Sequence, residues 1–139
     1  MKTIRTIVLM SLAIVMICCK EDDHLESTLL IGDWQSEEIY VNGKLQDAWI
    51  NNSTILSIRV DQTYYKNYTS GSWLMQEDNI TLIPRADLSI KSHQYKVIEA
   101  SNDLLMLETT LTEGDYGRDF DQVETDEQIT VREKFRRKN

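Results

Sequence analysis

The 139-residue sequence predicts an all-β fold, eight short antiparallel strands closing into an up-and-down β-barrel, on three observations. Apolar and polar residues alternate with a period of two over short runs, the signature of half-buried strands. Turn-forming pairs, Asn42-Gly43, Asp61-Gln62, Ser70-Gly71 and Asn102-Asp103, separate those runs. A single proline and the lack of any sustained helical period leave little room for a helical layer. A flattened sandwich would satisfy the same pattern, but closure removes the exposed strand edges that an open sheet must protect.

Ahead of the strands, Lys2 and Arg5 precede an apolar run over residues 7–17 broken only by Ser11. The run is shorter than the ~20 residues a membrane-spanning helix needs and has the layout of a secretory signal peptide. It ends on Cys18-Cys19 where an ordinary cleavage site would have small residues. The stretch resembles a bacterial lipoprotein signal. That resemblance implies removal of residues 1–18 and a lipid on Cys19, since Cys18 is a small residue before the cut; lipidation of Cys18, preceded by the bulky Ile17, is the alternative. Lys20, Glu21, Asp22 and Asp23 look like the lysine-plus-acids signal that carries lipoproteins of Bacteroidetes-type bacteria to the cell surface. The expected address is therefore the bacterial outer membrane, reached through a lipid anchor. Residues 19–28 read as an acidic, flexible tether, too poor in apolar surface to order itself, and residues 29–139 as the barrel domain.

Both cysteines lie at the signal boundary, so the domain has no disulfide, thiolate metal site or cysteine nucleophile. Losing Lys2 and Arg5 with residues 1–18 takes the formal charge from −8 to −10. An acidic excess of that size argues against nucleic acid as a partner, because phosphates need a positive surface.

The strands follow in order. In the first, Trp34, Ser36, Glu38 and Tyr40 alternate with Gln35, Glu37, Ile39 and Val41, up to the Asn42-Gly43 turn. Residues 44–52 place Leu45, Ala48 and Trp49 at helical spacing, which fits a single helical turn or lid; an irregular loop fits equally. Residues 53–60 put Leu56, Ile58 and Val60 on one face. Residues 63–69, rich in tyrosine and threonine, form the third strand, closed by Ser70-Gly71; Tyr64 and Tyr65 must face opposite sides. Residues 72–76, 79–84, 92–100 and 104–111 supply the next four. After an acidic stretch over residues 113–127, residues 128 onward set Ile129, Val131 and Phe135 on one face with Glu133 between them, and Thr130, Arg132, Lys134 and Arg136 on the other. Thr, Val, Ile and Phe favour a strand there over a C-terminal helix.

With Gly32-Asp33-Trp34 opening the first strand, Gly71-Ser72-Trp73 at the fourth, and "NITLIP", "YKVIEASNDLLMLET" and "ITVREKF" following in order, the chain resembles the lipocalin-like domains of Bacteroidetes lipoproteins, within the wider calycin group. The physical sense of Gly-x-Trp is that Gly32 permits a tight bend at the barrel base while the Trp34 ring plugs it. The resemblance implies an arginine from the last strand lying across that ring: Arg132, with Arg136 as the alternative. It also implies an interior for one small hydrophobic or amphipathic molecule. Tyr40, Trp49, Leu56, Ile58, Trp73 and Tyr95 are the residues expected to line it.

No catalytic constellation stands out. His24 and His93 are too far apart for a metal pair, and no Ser-centred elbow, phosphate loop or Cys-His pair occurs. The acids Asp115, Asp119, Asp121, Glu124 and Asp126 lack the spacing of a calcium loop. The expectation is a non-catalytic binding protein without metal or cofactor. The alternative is an envelope interaction protein whose barrel is filled and whose loops meet a protein partner. If Leu56, Ile58, Trp73, Leu82, Val97 and Leu107 fill the interior, the second gains; an apolar cavity of ~300 Å³ or more under residues 44–52 favours the first.

Overall fold

Side chains alternate in and out along the longer strands, and this sets the architecture. The computed structural model describes residues 25–120 and 127–139. Its strands are β1 (Gly32–Val41), β2 (Lys44–Leu45), β3 (Ile55–Ile58), β4 (Thr63–Lys66), β5 (Thr69–Gln76), β6 (Asn79–Pro84), β7 (His93–Ala100), β8 (Leu104–Thr112) and β9 (Gln128–Arg137). Two single-turn helices join them, α1 (Ala48–Asn51) and α2 (Glu113–Tyr116). From β3 onward each strand pairs antiparallel with the next, β1 pairs with β3, and β9 returns to β1 from Trp34↔Arg137 to Val41↔Val131. The ring of eight strands is closed, with β2 a short arm on β1. The cysteines, residues 20–23 and His24 lie outside the described residues.

One end of the ring is sealed. Trp34 is fully buried and its indole N–H donates to the Leu30 carbonyl at 2.9 Å. The guanidinium over its ring is that of Arg137, 4.2 Å from the ring centroid, and not that of Arg132 or Arg136. Parity explains the correction. Residues 129, 131, 133 and 135 of β9 point inward, so 137 does too, while Arg132 and Arg136 point outward to Glu108 and Glu37. Arg137 also donates to the carbonyls of Ile31 (2.6 Å), Leu29 (3.1 Å) and Asn102. Gly32, at φ +150°, lies directly under this group: a Cβ there would collide with the guanidinium. The glycine of the Gly-x-Trp element thus makes room for an arginine as well as bending the chain.

At Glu37 an extra residue enters β1, and its register against β9 shifts between Ser36 and Glu38. Such a bulge reverses the alternation. Trp34 and Ser36 face inward before it; Ile39 and Val41 do so after it, which turns Tyr40 to the outer face, where its hydroxyl meets Glu38 at 2.6 Å. α1 supports the break. Asn51 accepts from the Ile39 N–H at 2.9 Å and donates to the Gln46 carbonyl at 2.9 Å, and the Ser36 hydroxyl donates to the Asn51 carbonyl. Residues 48–51 are therefore helical, but Ile50 and Asn51 are the buried positions; Trp49 is 71% exposed and Leu45 49%.

A second correction concerns the third turn. β4 stops at Lys66 and the chain reverses at Asn67-Tyr68, four residues before the Gly71 expected to close it. Asn67 sits at φ 52° and exchanges hydrogen bonds with Ile55 through its side chain (2.8 Å) and its N–H (2.9 Å), so the asparagine, not Ser70-Gly71, carries the turn. Gly71 lies inside β5, where a Cβ would strike the Ile83 carbonyl of β6. The predicted C-terminal strand is β9.

Arg137→Ala is expected to lower the unfolding free energy by at least ~2 kcal/mol through the lost stack and carbonyl contacts. Arg132→Ala, which removes an exposed ion pair, should cost under ~1 kcal/mol. Denaturant unfolding of the two variants side by side checks this; equal losses would contradict the assignment of Arg137.

Candidate ligand site at the barrel mouth

The parity that places Ile129, Val131 and Phe135 inside the barrel places Glu133 there as well, and its side chain is 2% exposed. A carboxylate so placed is costly unless donors surround it. Three do: Lys66 Nζ at 2.9 Å, Thr54 Oγ1 at 3.0 Å and the Tyr116 hydroxyl at 2.5 Å. Lys66 comes from β4 across the barrel; Nζ also donates to the Tyr95 hydroxyl at 3.2 Å and lies 4.8 and 5.3 Å from the ring centroids of Tyr95 and Tyr116.

These groups hold one another's charge states. Burial works to raise Glu133, but Lys66 beside it and the bonds from Tyr116 and Thr54 bring its carboxyl below the ordinary value of 4.5. Burial would lower Lys66; Glu133, with Tyr95 and Tyr116, reverses this and lifts its ammonium well above 10.5. Burial and then Glu133 push Tyr116 well above its usual range. Burial, reinforced by Tyr95, pushes Tyr64 up to about 12. Near neutral pH the cluster is thus an ion pair ringed by protonated phenols. Its carboxylate accepts from three donors and its amine is protonated.

The cluster separates two apolar regions. Below it, toward Trp34, Leu56, Ile58, Trp73, Leu82, Val97 and Leu107 join one buried core. Above it, Ile39, Val41, Ile50, Phe120, Ile129 and Val131 form a smaller one under α1 and α2. α2 folds onto the mouth through the Tyr116–Glu133 bond, the Tyr116–Phe120 ring contact (5.4 Å) and a Lys91–Asp115 ion pair (2.9 Å). On the β4–β7 side a cavity of about 430 Å³ remains, walled by Tyr64, Leu82, Tyr95 and Tyr116, with Lys66 and His93 on its lining. Burial and the nearby Lys66 keep the His93 imidazole below its usual titration range.

Of the residues expected to line a cavity, Tyr95 does so. Leu56, Ile58 and Trp73 are packed into the lower core, Tyr40 faces outward and Trp49 is exposed on α1. The cavity opens beside residues 89–91 and α2, not under residues 44–52, where Ile50 fills the space. Tyr64 turns inward and Tyr65 outward, on opposite faces. Lys66, Tyr116 and Glu133 were not among the expected site residues. Alternation from Tyr64 to Lys66, and from Val131 to Glu133, was the signal that could have found them. A larger concavity of about 590 Å³ lies outside the barrel next to Tyr40 and Arg132, whose polar groups are already engaged by Glu38 and Glu108. Among the described residues no group of three or more His, Cys, Asp or Glu side chains is placed to hold a metal; Asp121, Glu124 and Asp126 lie outside them.

Because the folded-state value of Glu133 is depressed, its contribution to stability is present above about pH 4.5 and lost as pH falls through the lower folded value. Lys66, being raised, contributes fully below 10.5 and loses that contribution only as pH climbs through its higher folded value. Glu133→Gln, which strands Lys66, should cost ~3–5 kcal/mol near neutral pH. The gap from wild type should narrow below pH 4.5. Urea unfolding across pH checks this; a gap that does not change on the acid side would contradict it.

No family model matches the sequence, and no curated protein matches it at a significant level. The structure is similar to that of a lipocalin-like protein from Bacteroides uniformis, at 14% identity over 79% of this chain and 99% of that one, with a TM-score of 0.50. It is also similar to an uncharacterized protein from Bacteroides eggerthii, at 13% identity over 78% and 98% of the two chains, with a TM-score of 0.49. At such identities the first likeness is one of fold, and the fold is a lipocalin-like β-barrel.

Proposed function

We propose that the protein is a lipid-anchored, non-catalytic binding protein of the bacterial outer membrane that holds a small amphipathic molecule at its mouth. The observation that carries this reading is the 430 Å³ cavity, within the range of small-ligand sites, with an aromatic wall and polar groups converging at its floor. The lower barrel is filled, so the ligand sits in the mouth and not in a deep calyx. The anchor rests on the Cys18-Cys19 boundary and the acids behind it. Leu25 lies at the Trp34 end, near Asp78 and Val97. An anchor at Cys19 would therefore join the barrel from the end opposite the mouth.

A second reading has an observation of its own. The filled core, together with Trp49, Tyr68 and Ile90 exposed on three connections around the mouth, suits a rim that meets a protein partner.

Native mass spectrometry of the purified protein separates the two. A co-purifying small molecule, lost on Thr69→Trp, which fills the cavity, is expected from the first; a bare wild-type mass contradicts it and favours the second. For the address, Cys19→Ala should move the protein from the membrane to the soluble fraction and abolish lipid labelling. Unchanged membrane fractionation would contradict the anchor.

A further inference from the structure

We infer that the mouth cavity takes an uncharged, hydroxyl-rich ring, a neutral carbohydrate, because its charges are mutually cancelled while phenol and ammonium donors on its lining remain unspent. The inference rests on the mouth-binding reading above and names its ligand class.

Charge excludes one class. Among the cavity's lining residues, Lys66 is paired with Glu133 and Lys91 with Asp115, each at 2.9 Å, and His93 is held neutral. A carboxylate or phosphate entering here would find no unpaired cation and would sit close to Glu133, in surroundings where an unpaired charge is costly. Shape excludes another. An acyl chain needs a deep apolar channel, and below the cavity floor Trp73 and Val97 are packed in the core.

Unused hydrogen-bonding capacity selects a third. Lys66 has three N–H groups and gives one to Glu133 and one to Tyr95. Tyr95, only 5% exposed, accepts from Lys66, and its own proton goes to no described residue. Tyr64, 4% exposed, makes no hydrogen bond with its hydroxyl to any described residue, nor does the His93 imidazole. The Tyr64 hydroxyl, without a partner among the described residues, is not sealed from the cavity it lines, so a ligand oxygen can take the place of water there. Around these donors stand the rings of Tyr64, Tyr95 and Tyr116. Flat aromatic faces beside several hydrogen-bonding groups match the two sides of a pyranose, C–H groups on its face and hydroxyls at its edge.

The test is saturation-transfer NMR and calorimetry of the purified full-length protein with glucose, galactose, N-acetylglucosamine and cellobiose, against galacturonate and laurate. At least one neutral sugar is expected to bind. Tyr64→Phe and Tyr95→Phe should each weaken it about 2- to 10-fold, the loss of one neutral hydrogen bond, and outward-facing Tyr65→Phe should not. If galacturonate binds at least tenfold tighter than galactose, or laurate binds and the sugars do not, the neutral-carbohydrate assignment falls and the mouth-binding reading stands. Sugar binding indifferent to both phenol variants also overturns the assignment. Silence from every probe overturns both.

Discussion

Glu133 is a carboxylate inside a β-barrel, and much of the upper half of the molecule is arranged around that cost. β9 must turn residue 133 inward if Ile129, Val131 and Phe135 are to reach the core, since a strand offers only two faces. Lys66 from β4, Thr54 ahead of β3 and Tyr116 from α2 converge on it from three separate parts of the chain. The bond from Tyr116 brings α2 over the mouth; the reach of Lys66 across the barrel sets the floor of the cavity. A solid apolar layer at this level would fill the mouth. The ion pair leaves it lined with donors.

The two ends of the barrel differ for reasons visible in their residues. At the Trp34 end, Arg137 lies over the indole and binds three carbonyls, a closure that Gly32 permits by having no side chain. At the other end lie the longer connections: β2 with α1, residues 85–92, and the segment beginning with α2. Half of this mouth is filled through Ile50, Phe120 and Tyr116; the other half stays open between β4 and β7. The bulge at Glu37 is what makes the filled half work, because it turns Ile39 and Val41 inward beneath α1.

Alternation carried most of the fold into the sequence. The order of strands, the final strand in preference to a helix, and the meeting of first strand with last were all legible from period-two patterning and turn residues. What failed did so where one residue breaks the count. The extra residue at Glu37 reverses the phase of β1 and sends Tyr40 outside, and Asn67 takes the left-handed turn expected at Ser70-Gly71. The site was less legible because its polar members come from distant strands. Glu133 was read on the inner face of the last strand yet not treated as a buried charge in need of a partner, and the same parity that named it also pointed to Arg137 in place of Arg132. Lys66 and Tyr116 meet Glu133 only through closure of the ring.

A mouth that holds a ligand, as proposed, needs to be preorganised, and here the organising element is the pair between Lys66 and Glu133. The most direct test is a double-mutant cycle: unfolding free energies of Lys66→Met, Glu133→Leu and the two together. Each single change should cost ~3–5 kcal/mol by leaving one buried charge alone, and the double variant should cost no more than either single one. Costs that simply add would mean that the two groups do not depend on each other, and the buried pair would no longer explain the shape of the mouth.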